Sequence, residues 1–257
     1  MTCRYFTVFP FIALVICGRL LDAKSHPKIP DFLKICHRSD PNLNECIRTS
    51  VEALRPHLRE GIPLLDIPAC EPLHVPQVEI SQGSGPVAVR STYTDIQVSG
   101  ATDFLLKAVK VDLEKERTKL KIFLPRLEMV ANYTMDGRIL MLPITGEGKG
   151  YGNYTDINAI VTTQGEDYAN SKDGNKTYFR VTDFFVDFNV GHATIHLDNL
   201  FNGDETLADA MNVFLNDNWK TVAAEMKPAL EDAVAELFMD FANRIYAKFP
   251  KDVLFPK

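Results

Sequence analysis

Several kinds of chemistry have no signature in this chain. It holds no G-x-S-x-G elbow, no H-E-x-x-H pair and no P-loop. The stretch "GEGKGYGN", Gly146 to Asn153, comes nearest to a nucleotide motif. A dinucleotide fingerprint needs its third glycine at position 151 or 153, and Tyr151 and Asn153 stand there instead. The six histidines are scattered. His192 and His196 in "HATIH" have metal spacing for a helix, but the segment alternates as a strand does, which sets them about 13 Å apart. No metal or cofactor is called for, and nothing supports an enzyme. A secreted hydrolase would need a Ser or Cys beside a His in space.

Basic residues are in short supply. Lys and Arg total 28 against 34 Asp and Glu, a net charge of −6. That balance disfavours nucleic acid, which needs a basic surface to displace counterions. It equally disfavours charge-driven attachment to anionic membranes.

Long apolar runs are missing too. "YFTVFPFIALVIC", Tyr5 to Cys17, is uncharged but only 13 residues long. A bilayer span takes about 20, and Arg19 interrupts the run. With one basic residue before it and the small Ala23 after it, the segment reads as a secretory signal peptide over residues 1–23. Residues 24–257 then form one secreted, extracellular domain without stable membrane anchoring. Three N-x-T sequons, at Asn132, Asn153 and Asn175, fit that route.

Cysteine is sparse. Cys3 and Cys17 leave with the signal, and Cys36, Cys46 and Cys70 remain. Three thiols in an oxidising compartment suggest one disulfide and one left over. The near pair, Cys36 with Cys46, is the choice; closing so short a loop contributes roughly 3 kcal/mol. Cys70 is expected as a buried free thiol, with an intermolecular bridge as the alternative.

Between these gaps the elements are readable. Asp40, Pro41 and Gly61 bracket a helix whose Leu43, Cys46, Ile47, Val51, Leu54 and Leu58 share one face. Pro56 should kink its last turn. "GIPLLDIPACEPLHVP" is proline-punctuated and reads as an extended connector. From Gln77 to Leu200, alternating segments predict consecutive antiparallel strands, with hairpin turns at "MDGR" and "KDGN". The last 50 or so residues repeat apolar positions every three or four. "NDN" at Asn216 to Asn218 separates two helices, and Pro228 should bend the second. Asp217 to Lys248 alone would run about 48 Å at 1.5 Å per residue. A compact globule of this size has a radius of gyration of only about 17 Å. So long an apolar stripe needs a long, curved sheet around it. The expected class is α+β: a long C-terminal α-helix wrapped by a highly curved antiparallel β-sheet.

On a strand, Gly146, Gly148, Gly150 and Gly152 share one face and leave it bare. Such a face admits the helix or a ligand, or the glycines serve curvature alone. The apolar stripe and the bare strand together nominate Trp219, Met226, Phe238 and Phe241, with Gly148 and Gly150 opposite, as lining of an internal tunnel.

"CHRSDPNLNECI", "LRPHLREGIPLLDIPACEPLHVP", "LPITGEGKGYGNYTDI", the run "FNVGHATIHLDNLFNGDETLADAMNVFLNDNWKTVAAEMKPALEDAV" and "FPKDVLFP" resemble the takeout/juvenile hormone-binding protein family of insects. The resemblance covers essentially the whole mature chain and lies nearer the takeout branch. It implies the tubular lipid-binding fold and a secreted carrier of a small hydrophobic ligand, such as juvenile hormone, another terpenoid or a fatty-acid-like molecule. A protein receptor is left unidentified. It also implies that the first two mature cysteines, Cys36 and Cys46, pair. The competing reading is an extracellular protein-interaction module without a small-molecule ligand.

Overall fold

The structure, a computed structural model, describes residues 28–81 and 86–257. The signal peptide expected over residues 1–23 lies outside the described residues. The first helix, α1 (Leu43–Glu60), begins where Asp40 accepts the Asn42 N–H through Oδ1 at 2.7 Å. It continues through Pro56, and its Leu54 and Leu58 pack into an apolar cluster. A disulfide joins Cys36 to Cys46, tying the preceding arm to α1. Cys70 is a buried free thiol, and desolvation pushes its pKa up.

Seven antiparallel strands follow: β1 (Leu73–Ser81), β2 (Val87–Ser99), β3 (Leu105–Asp112), β4 (Arg117–Ile139), β5 (Leu142–Asn170), β6 (Lys176–Asn189) and β7 (His192–Leu197). They form one sheet of order β1-β2-β4-β5-β6, with β3 beside β4 and β7 beside β5. β5 has 29 residues, a path of about 95 Å at about 3.3 Å per residue. The helix it serves is less than half as long, so the strand must coil. Breaks in register at Thr94/Gln97, Leu106/Ala108 and Gln164/Gly165 add local twist.

Two strand expectations are corrected. The proline-rich connector contains a 3-10 turn (Pro63–Leu65), and β1 begins within it at Leu73. Pro76 is tolerated because β1 lies at the sheet edge and the pairing steps from Val75 to Gln77 across it. "MDGR" is not a turn. β4 runs through Asp136 and Gly137 to Ile139, and the chain reverses at Leu140–Met141, Leu140 having φ 55°. Gly137 serves a close approach instead, since a Cβ there would stand 2.3 Å from the Ala88 carbonyl oxygen of β2. The "KDGN" hairpin is observed: Gly174 and Asn175 take φ of 63° and 59° between β5 and β6.

The C-terminal third is helical: α2 (Glu205–Asp217), α3 (Trp219–Lys248) and a single turn α4 (Lys251–Leu254). Asp204 caps α2 by accepting the Leu207 N–H. Asn218 separates α2 from α3, as the polar "NDN" implied. α3 has 30 residues, about 45 Å, and runs along β6 while touching β2, β7 and the 3-10 turn. It therefore lies in the seam between the two sides of the curved sheet.

Candidate functional site

Two buried clusters hold this arrangement together. One gathers Val87, Val89, Met135, Ile144, Leu197 and Leu200 under Met211, Leu215 and Val222 of the helices. The other gathers Ile62, Leu65, Ile67, Cys70 and Leu73 around Phe241, Phe249 and Leu254. In the 18 residues of α3 between Val222 and Phe241, no side chain is fully buried. The facing strands behave alike: Ile122, Leu124, Leu127 and Met129 of β4, with Phe184 and Val186 of β6, all stay half-buried. Ile122, Leu124 and Val186 pair with Ala159, Ile157 and Val161 of β5, all buried, which puts these three on the inner face.

The electrostatics of the tyrosines describe the same region. Burial pushes the Tyr154 hydroxyl up to about 12, with the Tyr93 phenol adding to the shift. Desolvation also raises Tyr93 and Tyr246. Yet all three side chains keep accessible surface. Tyr93 packs against the first cluster and Tyr246 against the second, which accounts for the desolvation of both.

The six lining residues named from sequence do not form one surface. Phe238 and Phe241 meet edge to face, ring centres 5.9 Å apart, with Phe241 in the second cluster and Phe238 39% exposed. Met226 packs against the first cluster. Trp219 stands edge-on to His192 at 5.5 Å. The glycine face is covered by the protein itself. A Cβ on Gly148 would lie 2.6 Å from the Asp198 carbonyl oxygen, and one on Gly150 would lie 3.2 Å from Leu197 and 3.6 Å from the Tyr133 ring. A Cβ on Gly152 would meet the Tyr154 hydroxyl at 2.5 Å. The close approach read from the glycines is therefore made by the chain after β7 and by two tyrosine rings.

Those tyrosines were missed from sequence. Tyr93 pairs with Tyr133 across β2 and β4, and Tyr133 pairs with Gly148 across β4 and β5. Tyr133 donates to the Asp198 carbonyl at 2.6 Å, and burial pushes its pKa up to about 12. Ser91, two residues before Tyr93, is 1% exposed, and among the described residues its Oγ finds no hydrogen-bond partner. One signal was present: Tyr154 follows the four glycines at the same parity, so a ring there can fold back over them.

The surface carries an open cleft of about 450 Å³ where Met129, Gly152 and Ile195 lie side by side near Asn216. A second, of about 270 Å³, runs between Phe184 and Phe185 of β6 and Ala235 and Met239 of α3. Among the described residues no helix is long and apolar enough to cross a membrane.

A curved antiparallel sheet closed along its seam by one long helix defines an α+β tubular fold of the kind that encloses apolar molecules. The chain belongs to the haemolymph juvenile hormone binding protein (JHBP) family, whose profile matches residues 11–256. It is 28% identical over 235 residues to the circadian clock-controlled protein daywake of Drosophila melanogaster, covering 89% of this chain and 88% of that one. It is 24% identical over 221 residues to a candidate beta-carotene-binding protein of Schistocerca gregaria, covering 85% and 86%. Among solved structures it resembles Takeout 1 of Epiphyas postvittana, with a TM-score of 0.74 and 26% identity, over 87% of this chain and 100% of that one. The resemblance read from sequence and the expected fold class both hold. The family is one of proteins that bind small hydrophobic ligands, and this chain shares its architecture.

Proposed function

We propose that this protein is a secreted, non-enzymatic carrier, released by cleavage near Ala23, whose single domain over residues 24–257 holds an elongated apolar molecule between α3 and the inner face of the sheet. The supporting observation is the stretch of α3 between Val222 and Phe241 in which no side chain is fully buried, with half-buried apolar side chains on β4 and β6. That stretch of the helix lies between the two solid clusters, with Val222 in the first and Phe241 in the second. The family's hormone and the carotene named for the locust relative are both long and apolar, which favours a terpenoid or fatty-acid-like guest. Met226, Phe238 and Phe241 line the helix side and Trp219 one end, while Gly148 and Gly150 let the tyrosine-bearing floor pack closely.

Burying about 400 Å² of ligand at ~25 cal/mol/Å² is worth roughly 10 kcal/mol before ordering and association are subtracted. Micromolar or tighter affinity follows. The Cys36–Cys46 disulfide agrees with an oxidising compartment. Of the three sequons, Asn175 sits exposed at a hairpin tip and Asn132 exposed on β4. Asn153 is half-buried, its Oδ1 accepting from Arg126 at 2.9 Å. Glycan is expected at Asn175 first, read as an endoglycosidase-sensitive mass shift lost in Asn175→Gln.

The carrier reading is tested by native mass spectrometry of protein purified from insect-cell medium. A co-purifying apolar molecule, or uptake of the fluorescent amine N-phenyl-1-naphthylamine after organic extraction, is the expected result. Protein that carries nothing and takes up nothing overturns it.

A further inference from the structure

The chain carries a net charge of −6, but the charge is not spread evenly. The hairpin from Leu105 to Phe123 holds six Lys and Arg against three Asp and Glu. Alternation sorts its side chains. Leu106 is buried and pairs with the inward Ile122, so Leu105 and Lys110 of β3, with Lys119, Lys121 and Phe123 of β4, hold the outer face. Register sets Lys110 directly opposite Lys119, and Lys121 follows two residues on. Like charges so placed repel. Among the described residues nothing offsets that repulsion, because Lys107, Lys110, Lys119 and Lys121 are all exposed and none forms an ion pair. The hairpin's own carboxylates are engaged elsewhere. Asp112 lies opposite Arg117 and 4.0 Å from Lys115, and Glu116 pairs with Lys251. Across β4 the neighbours on β5, Ile160, Thr162 and Gln164, are uncharged. The free edge of β3 is closed by α1, whose Asn44 accepts the Val111 N–H at 2.8 Å, so the outer face is what stays open. Amid the lysines stands an apolar pair: Leu105, 42% exposed, is opposite Phe123, and the Lys107 ammonium lies 5.2 Å from the centre of the Phe123 ring.

We propose that this outer face of the β3–β4 hairpin docks reversibly on anionic lipid bilayers. The inference goes beyond the carrier reading and stands whether or not a guest is bound. Clustered ammonium groups are drawn to anionic headgroups, and an exposed apolar side chain among them enters the boundary between headgroups and acyl chains. A bilayer satisfies both halves of the patch at once. A sulfated polysaccharide would neutralise the lysines but leave Leu105 and Phe123 in water. The acidic balance of the rest of the chain sets the orientation, since an anionic surface repels the other faces. For a carrier, such contact lets an apolar cargo pass between protein and lipid without crossing water.

The experiment sediments the full mature chain with sucrose-loaded vesicles of phosphatidylcholine alone, or with about 30% phosphatidylserine, at about 0.05 M and about 0.5 M salt. Binding is expected to the anionic vesicles at the lower salt only. Lys119→Gln with Lys121→Gln should weaken it about twentyfold, about fivefold for each cation. Leu105→Ser should weaken it about fivefold without changing the salt dependence. Lys149→Gln, exposed on β5 opposite Asn132 and far along the strand from the patch, should bind as the parent does. Because neither Lys119 nor Lys121 is ion-paired, their double variant should melt no lower than the parent. Lys107→Gln with Lys110→Gln gives the same reading should that variant fold poorly. Equal binding to neutral and anionic vesicles, binding that survives both lysine pairs, or an equal loss in Lys149→Gln overturns the assignment. So does retention on heparin without vesicle binding, which would give the face to a polysaccharide. Salt-sensitive dimerisation abolished by the same substitutions, without vesicle binding, would give it to a second copy of the chain and also overturns it. None of these outcomes touches the carrier reading.

Discussion

Asn212 of α2 behaves toward Leu197 of β7 as a neighbouring strand would. Its Oδ1 accepts the Leu197 N–H at 2.9 Å, and its Nδ2 donates to the Leu197 carbonyl at 3.0 Å. One turn on, Asn216 repeats the pattern with Ile195 at 2.9 and 2.7 Å. The match has a metrical cause: four helical residues rise about 6 Å and two strand residues about 6.7 Å. Asn243 of α3 does the same for Val181 of β6, and Glu231 accepts the Phe188 N–H at 3.0 Å. The free edges of β6 and β7 are thus closed by side chains, which blunts the tendency of an open edge to recruit other strands.

Asn212→Ala is expected to lose about 2–4 kcal/mol, because it leaves a buried N–H and a buried carbonyl without partners. Asn243→Ala, at a half-buried site, should lose less. Urea unfolding of the two variants beside the parent gives the comparison. Equal, negligible losses would show that the edge is satisfied some other way.

Gly148→Ala places a methyl 2.6 Å from the Asp198 backbone oxygen, so either the chain after β7 or β5 must shift. A loss of about 1–3 kcal/mol is expected from this overpacking. Lys149→Ala, on the opposite and exposed face, should stay within about 0.5 kcal/mol. The thermal midpoints of the two proteins decide the matter.

Breaking Cys36–Cys46, by Cys36→Ser with Cys46→Ser, should cost about 3 kcal/mol, mostly through the greater freedom of the unfolded chain. In a parent chain that starts at residue 24, a thiol reagent should titrate one cysteine, Cys70, and only slowly until denaturant is added, since the thiol is buried and its pKa raised.

Tyr133, Tyr154 and Tyr178 are each pushed from 10.0 up to about 12 by burial. Their native pKa values lie above the unfolded ones, so the unfolded chain gives up these protons first. The stabilisation is complete below about pH 10 and is lost as pH rises toward 12. The check is an ultraviolet phenolate titration set beside denaturation midpoints over the same range. Native tyrosines that all ionise near pH 10 would contradict it.

Much was legible in the chain because it depends on neighbours along the sequence. Apolar spacing placed α1, the break at Asn216–Asn218 and the length of α3, and alternation placed the strands. The "KDGN" hairpin followed from residues that accept positive φ. "MDGR" misled for a reason sequence cannot show: its glycine answers a carbonyl on β2, some 50 residues earlier. The meaning of the "GEGKGYGN" face was open for the same reason. Four glycines announce that something comes close, and only the fold supplies Asp198, Tyr133 and Tyr154 as what does.

The sequence by itself determined which segments would be helix or strand, because backbone preference and hydrophobic period are local. It also pointed to the Cys36–Cys46 pair and to the family. Tertiary structure alone decided that α3 closes a seam between strands, that asparagines on the helices complete the strand edges, and that the Tyr154 ring folds back over Gly152. Register between strands dozens of residues apart is set by the whole packed sheet, and no local pattern encodes which side chains it brings face to face.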